Sequence, residues 1–387
     1  MENFSYSIPT EIYFGKGQIK HLTNAIKKYG SKVLVVYGGG SIKRIGLYDD
    51  MMKILKDNNI SYVELSNIAP NPRIESVREG VKLCRDNDIE VVLAVGGGST
   101  IDCAKVIAAG VNYDNDPWDI VLDPSKITKV LPIITILTLS ATGSEMDPYA
   151  VISDMSKNQK IGTGHDKMKP KVSILDPEYT YSVPKNQTAA GTADIMSHIF
   201  ENYFNNIKGA FIQARTAEGL LKACMKYGKI AIQEPNNYEA RANLMWASSL
   251  AINGLISYGT AGAWSVHPME HELSAFYDIT HGVGLAILTP HWMRYVLNDD
   301  TLYKFVEYGV NVWNIDESLD KYTIANTAID KTAEFFKELG IPSTLREVGI
   351  GEENFEIMAQ KAVKSGLQYG FKPLTPKDVA NIYKAAL

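Results

Sequence analysis

VVLAVGGGSTIDCAKVIAA, residues 91–109, is the stretch whose reading decides the fold. Five continuously apolar residues run into Gly96, Gly97 and Gly98, and a helix-compatible segment follows from Thr100 to Ala109. A strand without polar alternation is buried on both faces, as in parallel sheets covered by helices on each side. Ser99 reads as the N-cap of the helix, because its hydroxyl can accept from a first-turn N–H. The same arrangement stands upstream, where the apolar run 33–37 ends in Gly38, Gly39 and Gly40. Between the two lie a helical pattern at 47–58, a strand at 61–66 and an amphipathic segment at 74–87 with Val77, Val81 and Cys84 at helical spacing. Further buried strands are expected at 130–139 and 171–175. Residues 1–185 therefore read as an α/β domain built on a Rossmann-like parallel sheet.

Past Pro184 the pattern changes to long helices, at 188–204, 211–232, 238–255 and 320–339, with few β-branched runs. Residues 186–387 read as an all-α C-terminal domain, with a site expected in the cleft between the two domains. The length of 387 residues is large enough for two or three cores. With a formal net charge of −5, the chain advertises no basic face for a nucleic-acid partner. Its longest apolar run, 130–139, is interrupted by Pro132 and is half the ~20 residues a membrane span needs. The first ten residues, MENFSYSIPT, lack the basic and apolar segments of a secretory signal, so a cytoplasmic protein with no membrane partner is expected. Cys84, Cys103 and Cys224 are scattered and odd in number, which suits reduced thiols and not a disulfide framework.

Two GGGS sequences, at 38–41 and 96–99, sit at the carboxyl ends of expected strands. Ligands bind at that edge of open α/β sheets, where glycines admit a pyrophosphate to the backbone and a helix N-terminus offers unpaired N–H groups. Gly38, Gly39, Gly40 and Ser41, and Gly97, Gly98 and Ser99, are thus candidate cofactor contacts. Neither matches the G-x-G-x-x-G fingerprint or a P-loop, and a tight βα turn that merely needs φ > 0 remains the alternative. A third polar strand end, TLSATGSE at 138–145, offers the hydroxyls of Thr138, Ser140 and Thr142. Taken alone, it is better read as an ordinary loop with N-cap chemistry.

Asp194 and His198 are four residues apart in a helical stretch and share a face. His267 and His281 follow, flanked by small residues and turn signals such as Gly262, Pro268, Gly282 and Gly284. One carboxylate oxygen and three imidazole nitrogens suit one Zn²⁺ or Fe²⁺ ion, and without a thiolate such a site keeps net positive charge. On spacing alone, a surface Asp–His pair plus core histidines stays open. Residues 186–207 and 256–293 contain no Lys or Arg, while the second segment carries Ala261, Ala263, Trp264, Phe276 and Tyr277. An anionic substrate would normally meet basic side chains, so a neutral, fairly apolar small molecule is expected.

GGGSTID at 96–102, LSATGSE at 139–145, DIMSHIFENYF at 194–204 and HPMEHELSAFYDITHGVGLAIL at 267–288 together resemble the iron-containing (group III) alcohol dehydrogenases, in order and spacing across essentially the whole chain. Within that family the resemblance is to the NADPH-dependent butanol dehydrogenase and broad-range aldehyde reductase branch. It implies a dehydroquinate synthase-like architecture and a metal-dependent hydride transfer between NADP(H) and a small neutral alcohol or aldehyde. It places the metal, Fe²⁺ or Zn²⁺, on Asp194, His198, His267 and His281, and Asp102 in the nucleotide-binding motif with the 96–99 loop. Asn71, Thr138, Thr142 and Lys160 fall on cofactor-contacting positions, and His271 on a histidine near nicotinamide and substrate. His271 is the candidate for exchanging a proton with solvent, or else a hydrogen-bonded wall of the cleft. NAD-preferring relatives tend to carry an aspartate where this chain has Gly39, which favours NADP(H) over NAD(H). The resemblance also implies a homodimer. Rival readings are a zinc glycerol dehydrogenase-like polyol dehydrogenase, a dehydroquinate synthase-like lyase, and a non-catalytic nucleotide or metal sensor. The missing cations near the histidines count against the lyase, whose substrate is anionic.

Overall fold

The computed structural model describes residues 1–260 and 264–387; Ala261, Gly262 and Ala263, which the sequence reading counted among the small residues near the histidines, lie outside the described residues. In chain order the strands are β1 Glu11–Phe14, β2 Lys32–Tyr37, β3 Ser61–Leu65, β4 Val91–Gly96, β5 Ile133–Leu137, β6 Tyr149–Asp154, β7 Gln159–Gly164 and β8 Val172–Leu175. The helices of ten or more residues are α1 Leu47–Asp57, α2 Ile74–Asp86, α3 Gly98–Gly110, α4 Lys185–Tyr203, α5 Phe211–Gln233, α6 Tyr238–Ile252, α7 Val266–Tyr277, α8 His281–Val296, α9 Leu302–Trp313, α10 Lys321–Glu338, α11 Phe355–Lys364 and α12 Pro376–Ala385.

The chain forms two compact units. One comprises Ser7–Val183 with Pro235–Ser249, the other Met1–Tyr6, Pro184–Glu234 and Leu250–Leu387. A single boundary near residue 185 was expected; two segments depart from it. Residues 235–249 join the α/β unit because Met245 enters its core, Trp246 packs edge-on against Phe14 and Ser249 Oγ donates to the buried Glu145 carboxyl. Residues 1–6 join the helical unit, where Glu2 N donates to Gly259 O at 3.0 Å and the rings of Phe4 and Tyr6 pack on Tyr258.

In the α/β unit six parallel strands run in the order β1-β8-β5-β4-β2-β3. The apolar runs explain this. Leu34, Val36, Val92 and Ala94 face a core shared with Val77 and Val81 of α2 and Ile101 and Ala104 of α3. Val33, Val35, Leu93 and Val95 face an opposite core shared with Leu47, Met51 and Leu55 of α1. With both faces covered, alternation would leave polar groups buried, so the strands read as continuous hydrophobic runs. Tyr37 pairs with Val95 and Gly96 with Leu137, so the loops at 38–41, 96–98 and 138–145 leave the sheet along one edge.

An antiparallel hairpin, β6 with β7, escaped the sequence reading. Its strands pair with each other, Ser153 of β6 makes one isolated bridge to Arg73, and Gly162 and Gly164 break the β-branched pattern that marks the main sheet. The hairpin is tied to α3 by a buried polar network. Lys105 is fully buried and donates to Ser144 Oγ (2.8 Å), Asp147 Oδ1 (2.8 Å) and Tyr149 O (2.7 Å). Desolvating an ion pair costs several kcal/mol per charge, and this geometry offsets the cost by giving the ammonium three acceptors.

Among the described residues the helical unit contains no strand of the main sheet. Its long helices close-pack through small residues: a Cβ on Gly228 of α5 would stand 2.7 Å from Thr192 Cγ2 of α4. Among the described residues no helix is long and apolar enough to cross a membrane.

Candidate metal centre and nucleotide site

The metal candidates converge on α4. Asp194 and His198 occupy one face of that helix, one turn apart, and both are buried. α7 brings His267 in its first turn, and α8 begins at His281. From Asp194 Oδ1 the Nε2 atoms of His198, His267 and His281 stand at 3.7, 3.9 and 3.8 Å. These separations exceed hydrogen bonds and lie near the ~3.4 Å edge of a tetrahedron with bonds of about 2.0–2.1 Å. Burial, followed by the neighbouring His267, holds the His198 imidazole well below the ordinary histidine range, which favours the neutral ring with one nitrogen lone pair to donate. Asp194, His267 and His281 bring one ligand atom each within 4.8 Å of one another, a spacing that fits a divalent ion, and His198 joins them through its Nε2, 3.7 Å from Asp194 Oδ1.

Close backbone packing sets these positions. A Cβ on Gly282 would collide with the carbonyl of Ala190 in α4, with the carbonyl carbon only 2.6 Å away. A Cβ on Gly284 would meet Glu270 Cγ at 2.8 Å. The glycines on either side of Val283 therefore let the first turn of α8 lie directly on α4 and α7, which carries His281 to Asp194.

Two carboxylates beside the histidines went unnoticed in the sequence. Glu201 accepts from His267 Nδ1 at 3.2 Å and from the backbone N–H groups of Ser265, Val266 and His267 at 2.8, 2.7 and 2.9 Å. Burial pushes its carboxyl up to about 7, and the three backbone bonds pull the other way. Glu270 accepts from His281 Nδ1 and from Ser274 Oγ. A carboxylate on Nδ1 fixes the tautomer that leaves Nε2 as the donor. Both carboxylates lower the net positive charge expected from one aspartate and three imidazoles. Glu201 lies three residues after His198, and Glu270 three after His267; an acid at that spacing, in segments without Lys or Arg, was the available signal.

His271 lies one turn after His267 on α7 and is partly exposed, its ring 5.6 Å from that of His281 and 6.3 Å from that of His267. Trp264 stands 4.6 Å from the His267 ring and 5.6 Å from that of His198, an apolar wall on one side of the cluster. Phe276 and Tyr277, read with it as apolar lining, have other partners: Lys361 Nζ lies over the Phe276 ring, and Asn354 donates to the Tyr277 hydroxyl. Lys361 also pairs with Glu272 at 3.1 Å, so a cation from α11 reaches a helix that carries none of its own.

At the sheet edge, α3 begins at Gly98, one residue before the expected Ser99 cap. Its N-cap is Gly97, in extended conformation and with no side chain to cap the first turn. None of Gly96, Gly97 and Gly98 has positive φ. They are needed for space: a Cβ on Gly96 would lie 2.8 Å from Thr100 Cβ, and one on Gly98 2.9 Å from Thr142 Cβ. Thr142 thus packs on the uncapped first turn, and Thr138 N donates to Gly96 O at 3.0 Å. The other loop does use left-handed backbone, at Gly40 (φ 96°), the N-cap of the short helix Ser41–Arg44. Gly39 and Ser41 are exposed there, and a Cβ on Gly39 would meet nothing within 4 Å. Ser140, after β5, is partly exposed. Asn71 (φ 51°) and Lys160 are brought together by β6, where Ser153 pairs with Lys160 and its N–H donates to Pro72 O at 2.8 Å. Asp102 differs from these. Its carboxylate faces inward, accepting from Ser144 Oγ (2.6 Å) and Val151 N (2.9 Å), and burial pushes it up to about 6.

An α/β unit with glycine-lined strand ends and a helical unit holding an Asp–His cluster are the two halves of a family of oxidoreductases. Residues 9–177 match the iron-containing alcohol dehydrogenase family, and 188–387 match its C-terminal domain; the chain belongs to this family. It is an oxidoreductase acting between alcohols and aldehydes. It is 64% identical over 386 residues to NADH-dependent butanol dehydrogenase A of Clostridium acetobutylicum, covering 99% of each chain. It is 39% identical to the NADPH-dependent aldehyde reductase YqhD of Escherichia coli, covering all of both. The crystal structure of NADH-dependent butanol dehydrogenase A from Thermotoga maritima superposes with a TM-score of 0.94 at 38% identity, over 100% of this chain and 99% of that one.

Proposed function

We propose that this protein interconverts a small neutral aldehyde of about butanal size and its alcohol. Asp194, His198, His267 and His281 would hold one Fe²⁺ or Zn²⁺ ion, and the loops at 38–41, 96–99 and 138–142, with Asn71 and Lys160, would hold a nicotinamide cofactor. The observation that carries this reading is the approach of three imidazole Nε2 atoms to within 3.7–3.9 Å of one Asp194 oxygen. When bound, the ion supplies Lewis acidity toward a carbonyl and the cofactor supplies or accepts hydride. The chain's own part is positional. The helices fix the four donors, and Trp264 limits water on one side of them. The uncapped first turn of α3 presents N–H groups to a pyrophosphate. His271, partly exposed, exchanges a proton with solvent through a ring nitrogen. Butanal is the first substrate to test, because two relatives more than 60% identical are named butanol dehydrogenases. Loss of 340 nm absorbance with NADH or NADPH and butanal, abolished by a chelator and restored by Fe²⁺ or Zn²⁺, is the expected result. No oxidation with any aldehyde would overturn the reading.

For the cofactor we propose that NADP(H) is accepted, because the exposed Gly39 leaves room and no negative charge where a 2′-phosphate would lie. Two relatives at 64% and 62% identity are NADH-dependent by name, so the test must compare both cofactors. Gly39→Asp is expected to lower kcat/KM with NADPH about tenfold or more and to change it with NADH by no more than about threefold. Equal losses with both cofactors would remove Gly39 from cofactor selection. We also propose a homodimer, supported by the outer edge of β1, which among the described residues has no strand beside it and where exposed Phe14 packs on exposed Trp246 of α6. Light scattering at the monomer mass would exclude it.

A further inference from the structure

We infer that Glu201 is a positioning residue that makes metal retention depend on the start of α7; this rests on the metal reading above. Glu201 sits on α4 one turn beyond His198, its side chain 3% exposed. The N-cap of α7, Ser265, makes no side-chain cap bond. The carboxylate of Glu201 takes that place, with Oε2 accepting from Ser265 N and Oε1 from Val266 N and His267 N. The same Oε1 accepts from Nδ1 of the His267 side chain.

One carboxylate therefore does two things at once. It satisfies three N–H groups that a helix start otherwise leaves unpaired, and places a negative charge at the positive end of the helix dipole. It also holds the proton of His267 on Nδ1, so that Nε2 is the nitrogen turned to Asp194. α4 thereby supplies two donors itself and orients a third carried by another helix. His198 differs, since its Nδ1 has no hydrogen-bond partner among the described residues. The segments around Glu201, 186–207 and 256–293, contain no Lys or Arg.

The test uses the full chain stripped of metal and titrated with Co²⁺, whose d–d spectrum reports ligand geometry. Wild type takes up one ion per chain and gains thermal stability with it. Glu201→Gln keeps the shape and one acceptor oxygen but loses the charge; its Co²⁺ Kd is expected to rise 10- to 100-fold with an altered spectrum. A variant that loses apo stability while binding Co²⁺ as wild type does would reduce Glu201 to a helix cap and overturn the inference. Failure of wild type itself to bind Co²⁺ would instead overturn the metal reading. If the variant does not fold, ¹⁵N-histidine NMR of the Zn²⁺-loaded wild type decides. His267 is expected with Nε2 on the metal and Nδ1 protonated, and the reverse tautomer refutes the role of Glu201.

Discussion

His267→Ala is expected to leave a folded protein that neither retains a divalent ion nor reduces butanal, with kcat/KM down by about 10³-fold or more. Loss of Lewis acidity removes several kcal/mol of transition-state stabilisation, and about 4 kcal/mol corresponds to three powers of ten in rate. The fold survives because the bonds from Glu201 to Ser265, Val266 and residue 267 use backbone N–H groups, which alanine keeps. The cavity left by the imidazole costs about 2–4 kcal/mol, within reach of a core this large. Metal analysis, initial rates at 340 nm and circular dichroism measure the three quantities separately. A metal-free variant with wild-type rates would show that the Asp–His cluster has no part in the chemistry.

Gly282→Ala is expected to destabilise the protein and to weaken metal binding together. Alanine in a helix normally gains about 1 kcal/mol over glycine. Here its methyl group would enter the carbonyl of Ala190, and helix backbone cannot yield as a side-chain tip can. The first turn of α8 must move away from α4, at a cost of about 1–3 kcal/mol or more for overpacking. His281 precedes Gly282 directly and must move with it, while Asp194 lies one turn beyond Ala190 on the other side of the contact. Gly219→Ala is the control. Gly219 is also helical, in α5, but its Cβ would meet nothing within 4 Å, so that variant should melt at or above the wild-type temperature. If both alanines raise the melting temperature and Co²⁺ affinity is unchanged, close packing at Gly282 does not set the position of His281.

How much of this was legible in the sequence follows from the range of the interactions involved. β2 and β4 could be read because complete burial imposes an uninterrupted apolar run, a local property. Asp194 and His198 were visible because four residues is one helical turn. The hairpin β6–β7 was not, since only its partner strand and the Lys105 network reveal it. Ser99 looked like a cap because serine is a good one, yet extended Gly97 starts the helix earlier, with the space that Thr142 requires. Asp102 lay in a nucleotide-binding motif, but its bonds run to Ser144 and Val151, more than forty residues away. Glu201 and Glu270 are ordinary acids on helices until the imidazoles they hold are seen. Buried acids are legible only through their partners, and these partners arrive from other segments.

The assignment of Pro235–Ser249 to the α/β unit bears on how the chain is made. Synthesis runs from the N-terminus, so every strand of the sheet is available once Leu175 has emerged. The unit is still incomplete at that moment. Met245 has yet to fill its place in the core, and Glu145, wholly buried in the finished protein and pushed up to about 7 by that burial, lacks the hydroxyl of Ser249. About fifty residues of the helical unit are translated in between, so the α/β half cannot be sealed before part of its neighbour exists. A chain cut at residue 185 would expose an apolar gap and a carboxyl without its donor. Separate expression of the two halves would for that reason be a poor route to the isolated nucleotide domain, and a fragment joining residues 7–183 to 235–249 through a short linker would be the better one.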